Sequence, residues 1–228
     1  MAKKTELKQI IVNNDPKSTY SESIRSIRTN LQFSSINKEL QVLLVTSPEP
    51  GDGKSFTTAN LATAYAQDGK KVLIIDCDLR KGRQHKIFEI PKDATKGYSN
   101  LILNYNKDAN IKEYVEKTFI KNVFLIPNGP TPPNPIELLS SSKNKDLIDL
   151  LKSIFDIIIL DCPPVLGLSD ALVMTRFSDA NIVVTTIKKT KMESLKEVQK
   201  SMEKVNAKIT GVILNKATAK KSSYYYGY

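Results

Sequence analysis

The chain has 228 residues, 40% of them apolar, with a formal net charge of +10 and a pI near 9.4. That is enough apolar material for the core of one large domain with appendages. No apolar run approaches the roughly 18 residues of a membrane span, and Met1–Leu7 lacks the apolar stretch of a signal peptide, so the expectation is a soluble, cytoplasmic chain that meets a membrane only through a surface or a partner.

Residues 1 to about 18 read as an extended arm. A helix follows near 20–34, with Thr19 and Glu22 at capping-box spacing and Ile24, Ile27 and Leu31 on one face. Apolar runs then recur at Val42–Val45, Val72–Ile75, Val123–Ile126, Ile157–Leu160, Ile182–Thr186 and Ile209–Leu214. Most lack polar alternation, as strands buried on both faces of a parallel sheet do. Helical patterns lie between them at Ser55–Asp68, Ile111–Lys117, Ile136–Ser140, Asp146–Phe155, Ser169–Arg176 and Met192–Val205. Strand alternating with helix predicts a doubly wound, mainly parallel α/β sheet, with its ligand at the carboxyl ends of the strands. Residues 80–100 and the proline-rich 127–135 read as long loops, and Ala217–Tyr228 as a mobile end.

The loop Thr46–Ser55 carries the strongest signal. It joins the first strand to a helix through Pro50-Gly51-Asp52-Gly53-Lys54-Ser55. A glycine-rich turn lets backbone N–H groups close on an anion, and the helix start adds partial positive charge. Lys54 then reaches the outer phosphates of a nucleoside triphosphate, and Ser55 offers its hydroxyl to Mg²⁺. Pro48 departs from the general pattern, which has glycine there.

Two further strands end in carboxylates. Val72–Ile75 runs into Asp76-Cys77-Asp78-Leu79-Arg80, where two acids at i and i+2 face one way. Ile157–Leu160 ends in Asp161-Cys162-Pro163-Pro164, a hydrophobic strand followed by an acid that can hold Mg²⁺ directly or through water. Arg80 can contact phosphate or pair with Asp78, and His85 reads as a surface residue. The two cysteines, Cys77 and Cys162, read as small buried residues at strand ends, which suits a reducing compartment. Aromatic residues do not alternate with the basic clusters, so nucleic acid is not expected as a partner.

Taken together these motifs resemble the bacterial tyrosine kinases (BY-kinases) of capsule and exopolysaccharide synthesis, within the MinD/ParA-like P-loop superfamily. The residues that carry the resemblance are Pro50–Ser55, Asp76–Arg80, the Glu22-x-x-Arg25-x-x-Arg28 spacing, the stretch Pro132–Leu139, and the tail Tyr224-Tyr225-Tyr226-Gly227-Tyr228. The resemblance implies ATP and Mg²⁺ as cofactors, with Pro50, Gly51, Asp52, Gly53, Lys54, Ser55 and Phe56 around the phosphates. It implies Ser55, Asp78 and Asp161 at the metal, with Lys54, Asp76, Asp78 and Asp161 as the catalytic set. Asp76 is the candidate for accepting or orienting the tyrosine proton. Asn215 either contacts the base or turns the chain.

It implies also that Tyr224, Tyr225, Tyr226 and Tyr228 accept phosphate, in trans, within a homo-oligomeric ring. Glu22, Arg25 and Arg28 would lie at the subunit contact; read without the resemblance, Glu22 closes a cap and the arginines are solvated. A separate transmembrane activator of the polysaccharide co-polymerase type and a cognate tyrosine phosphatase are the implied partners. The corresponding division of the chain is an arm and oligomerisation helix at 1–34, a kinase domain at 35–216 and a tyrosine tail at 217–228. Two other readings stand beside this one. A MinD/ParA-type positioning ATPase shares the fold but carries a lysine early in the loop, where this chain has Glu49. A nucleotide-gated scaffold would bind ATP without turnover.

Overall fold

The computed structural model describes residues 10–34, 40–91, 93, 96–106 and 110–217. Two helices, α1 (Ile11–Asn14) and α2 (Thr19–Ser34), precede β1 (Val42–Thr46), α3 (Lys54–Gln67) and β2 (Val72–Asp76). After α4 (Gln84–Ile87) and α5 (Tyr98–Asn104) come the two-residue β3 (Glu116–Lys117) and β4 (Val123–Ile126). The remainder is α6 (Pro135–Ser140), α7 (Ser142–Lys152), β5 (Ile157–Asp161), α8 (Asp170–Met174), β6 (Ala180–Thr186), α9 (Met192–Glu203) and β7 (Gly211–Asn215).

The strands form one seven-stranded sheet in the order β3-β4-β2-β5-β1-β6-β7. All neighbours pair parallel except β3, which runs antiparallel to β4 at an edge. The fully apolar strands alternate their side chains between two cores. Val42 and Leu44 face α5–α9, while Leu43 and Val45 face α1–α4. α3 is buried along nearly its whole length, because Ala59, Ala62, Ala64 and Ala66 let it sit close between the sheet and α2. β5 inserts between β1 and β2, and β6 leaves on the other side of β1. This is where the winding reverses, and the crevice beyond the carboxyl ends of these strands is where such sheets bind ligands. No helix among the described residues is long and apolar enough to cross a membrane.

Four local expectations change. Residues 10–18 are not an extended arm: Ile10, which caps α1, and Val12 within it are fully buried, and the Val12 N–H donates to Asn60 Oδ1 at 3.1 Å. Burying two such side chains is worth about 1.5–3 kcal/mol each, which outweighs the absence of helical periodicity in so short a segment. The α2 cap is Ser18, whose Oγ accepts the Ser21 N–H at 3.2 Å; Thr19 is already helical. The expected helix at 111–117 is a single 3₁₀ turn, Ile111–Glu113, followed by β3. His85 lies buried in α4, whose Ile87 and the following Phe88 pull this turn onto the core.

Candidate nucleotide site

The phosphate loop leaves β1 and turns through two glycines with left-handed backbone, Gly51 at φ 83° and Gly53 at φ 96°. α3 then begins at Lys54. Ser55 is buried at the helix start, and Phe56 packs its ring against Tyr20 of α2 with centroids 5.4 Å apart. Phe56 therefore offers this site its backbone, not its ring.

The parallel register sets Asp76 beside Asp161 and Val45 beside Asp161, so β1, β5 and β2 deliver the loop and two acids to one edge. Lys54 lies across them. Its Nζ is 3.3 Å from Asp78 Oδ2, 3.6 Å from Asp161 Oδ1 and 3.4 Å from Ser55 Oγ. Burial alone would lower the Lys54 pKa. The charges of Asp161, Asp78 and Asp76 more than offset this and hold it above its ordinary value. Asp76 is pushed up to about 8, first by burial and then by the charge of Asp161, while the Gln84 N–H and Lys54 pull the other way.

Several residues at the site match no motif in the sequence, although Lys189 and Lys216 belong to its basic clusters. Gln84 donates from Nε2 to Asp161 Oδ2 at 2.7 Å and to Ser55 O at 3.1 Å, and its N–H reaches Asp76 Oδ2 at 3.0 Å. It thus ties the loop, the first acidic motif and the second into one network. Lys189, Thr186 and Thr190, which follow or end β6, bind the loop from behind, as does Lys216 after β7. No motif pattern marks these five residues, because each acts through contacts more than 25 residues away in sequence.

The remaining expected residues fall as follows. The Asp52 side chain is buried and turned toward Lys189, Thr190 and the Glu49 N–H, so it can offer an anion only its backbone. Asn215 Nδ2 donates to Asp52 O at 2.9 Å. Arg80 does not pair with Asp78; its Nη2 is 3.7 Å from Oδ1 of the buried Asp170. Cys77 and Cys162 are buried free thiols, and burial pushes the Cys77 thiol up. On α2, Glu22 pairs with Arg25, which also donates to Pro16 O at 2.8 Å. Arg28 donates to Ala64 O at 2.9 Å and lies 3.5 Å from Asp68. The tail tyrosines lie outside the described residues.

The donor set fits a phosphate chain and its magnesium. A Cβ on Gly53 would fall 2.0 Å from Asn215 Nδ2, so the loop leaves no room for a side chain at its tightest point. Asp161 Oδ1 is buried without a hydrogen-bond donor, and Lys54 sits among carboxylates that favour a cation. Among the described residues no cluster of three His, Cys, Asp or Glu has metal-holding geometry. Mg²⁺ carried by a nucleotide keeps most of its waters and takes only one or two carboxylates from protein.

Fold and site together define a P-loop nucleotide-binding domain. Residues 40–215 match the family model described as "AAA domain". The chain is 37% identical over 222 residues to the tyrosine-protein kinase YwqD of Bacillus subtilis, covering 96% of this chain and 92% of that one. The crystal structure of the chimerical protein CapA2B2 superposes with a TM-score of 0.84 at 37% identity, covering 91% of this chain and 89% of the other. The kinase domain of the Escherichia coli tyrosine kinase ETK superposes at 0.85 with 29% identity, covering 96% and 84%. The chain belongs to the bacterial tyrosine-kinase family within these AAA domains. A more distant fold relative, the septum site-determining protein MinD from Pyrococcus horikoshii, was solved with Mg-ADP and superposes at 0.64 with 25% identity over 79% of this chain and 72% of that one.

Proposed function

We propose that this tyrosine kinase uses Mg·ATP to phosphorylate its own C-terminal tyrosines, Tyr224, Tyr225, Tyr226 and Tyr228, on a neighbouring subunit, and that this regulates the synthesis and export of a capsular or exopolysaccharide. The observation that carries the reading is the Lys54 ammonium held between Asp78 and Asp161 at the start of α3. Phosphoryl transfer needs mainly positioning and charge stabilisation. The N–H groups of the 50–55 turn would hold the phosphates, and Lys54 would neutralise the charge on the outer ones. Ser55, Asp78 and Asp161 would hold magnesium, which when bound supplies Lewis-acid charge to the phosphates. Asp76 would accept or orient the tyrosine proton, and Gln84 keeps Asp76 and Asp161 in place. Each phosphate gained adds about −1.5 to −2 charge to a lysine-bearing tail and changes how it docks.

A direct test incubates the purified chain with γ-labelled ATP. Changing all four tail tyrosines to Phe is expected to remove most protein-bound phosphotyrosine, counted by mass spectrometry, while nucleotide binding stays unchanged. Label released only as free phosphate would favour the positioning-ATPase alternative; binding with no turnover would favour the scaffold.

The partners proposed are a transmembrane activator whose cytoplasmic end docks on the kinase and recruits it to the inner face of the membrane, and a phosphatase that resets the tail. Glu22, Arg25 and Arg28 are proposed as the subunit contact. Arg25→Ala with Arg28→Ala is expected to shift the mass measured by light scattering toward monomer. Arg28 also braces α3, so the double variant should lose about 1–3 kcal/mol of stability as well. An unchanged mass in a folded variant counts against the oligomer contact.

A further inference from the structure

The phosphate loop is held by its carbonyls. Lys189 Nζ donates to Pro50 O at 2.8 Å and Lys216 Nζ to Gly51 O at 3.1 Å. Thr186 Oγ1 and Asn215 Nδ2 donate to Asp52 O at 3.2 and 2.9 Å. Three successive carbonyls are thus drawn toward the ends of β6 and β7. In a planar trans peptide the C=O and the next N–H point in opposite directions. Drawing these carbonyls one way therefore turns the N–H groups of Gly51, Asp52 and Gly53 the other way. Among the described residues, the Gly51 and Gly53 N–H groups donate to no carbonyl, and the Asp52 N–H makes only the weak contact that closes the turn over Pro50 and Gly51. A row of N–H groups left free in a turn is an anion cradle.

The anchor is itself built. The Asp52 carboxylate is fully buried and accepts from Lys189 Nζ at 3.3 Å, Thr190 Oγ1 at 3.1 Å and the Glu49 N–H at 3.1 Å. Lys189 therefore spans a backbone carbonyl and a side-chain carboxylate of the same turn, and so fixes both its plane and its position. We infer that Lys189, Lys216 and the buried Asp52 are positioning residues that aim the amides of the phosphate loop before nucleotide arrives. The inference rests on the reading of this loop as the phosphate site. It concerns the reverse side of the loop, where the lysines touch protein oxygen. Their loss should weaken binding of any phosphate chain while leaving the chemical step intact, the pattern of a uniform binding defect.

The test uses the full chain and two probes, Mg·ADP and inorganic pyrophosphate with Mg²⁺, followed by calorimetry. Lys189→Met is expected to weaken both by about 10-fold, the scale of one hydrogen bond to a charged group. KM for ATP should rise in step while kcat changes less than about 2-fold. Lys189→Arg, which restores a donor able to span both oxygens, should recover most of the loss. Lys191→Met removes the same charge at the start of α9 and should stay within about 2-fold of wild type, as expected for a screened surface charge. Lys216→Met supplies an independent reading should Lys189→Met not fold. Wild-type affinity in both Lys189→Met and Lys216→Met, or an equal loss in Lys191→Met, overturns the inference. Wild-type protein that binds neither probe overturns the phosphate-site reading along with it.

Discussion

Lys54→Met is expected to lower autophosphorylation at saturating Mg·ATP by roughly 10²- to 10³-fold, the cost of removing one preorganised donor from developing charge. The geometry gives the loss two sources. Lys54 Nζ lies at the first turn of α3, where it would meet the outer phosphates of a bound nucleotide. It also lies 3.3 Å from Asp78 and 3.6 Å from Asp161, where it balances carboxylates that would otherwise repel one another. Methionine keeps most of the length and apolar stem of the side chain and removes only the charge. Without that charge the carboxylates face one another unbalanced, and the magnesium they would hold with Ser55 is less well placed. Binding and rate should therefore fall together, unlike the pure affinity defect expected at Lys189. Initial rates of phosphotyrosine formation measure the effect, with circular dichroism to check folding. A folded variant within about 3-fold of wild type rejects the role of Lys54.

The same residues explain what could be read from the chain and what could not. The phosphate loop was legible because its chemistry is contiguous: strand, turn, lysine, serine and helix follow one another within 15 residues, from Val42 to Phe56. Asp76 and Asp161 were legible because each ends an apolar run, and a parallel register aligns such ends. The sheet itself was legible for the same reason, since short, β-branched runs such as Ile157–Leu160 with no polar alternation fit a strand covered on both faces.

What escaped depends on partners distant in sequence. Gln84 looks like one polar residue in a charged loop until β2 and β5 pair and bring Asp161 to its amide. Ile10 and Val12 give no helical period, and their burial depends on the distant α3 that covers them. β3 is two residues long, too short for any alternation, and exists because β4 offers an open edge. Arg80 had a near neighbour in Asp78, but the turn after β2 carries it to Asp170 in another crossover. Local pattern names the elements and the contiguous motif; the supporting contacts belong to the assembled sheet.

Gly53→Ala is expected to weaken Mg·ATP by at least about 30-fold, near 2 kcal/mol, without unfolding the protein. Gly53 has φ 96°, a left-handed conformation that costs an L-residue roughly 1–2 kcal/mol. A loss of space adds to this strain. The added Cβ would meet Asn215 Nδ2 at 2.0 Å and Asn215 Cγ at 3.3 Å, so the amide must swing away. Its hydrogen bond to Asp52 O at 2.9 Å then breaks, and one of the four donors that orient the loop is lost. Gly69 provides the comparison: its φ is 83°, yet a Cβ there meets nothing within 4 Å. Gly69→Ala should therefore lose about 1 kcal/mol of stability and leave nucleotide affinity within about 2-fold of wild type. The two glycines share a backbone conformation, so Gly69→Ala shows that such strain outside the loop leaves affinity alone, and a second substitution separates clash from strain within it. Adding Asn215→Ala to Gly53→Ala removes the colliding amide. If the collision dominates, the double variant should bind Mg·ATP more tightly than Gly53→Ala alone, although Asn215→Ala by itself weakens binding. Additive losses would instead assign the defect to backbone strain, and an unchanged affinity in Gly53→Ala would remove this turn from the phosphate site altogether.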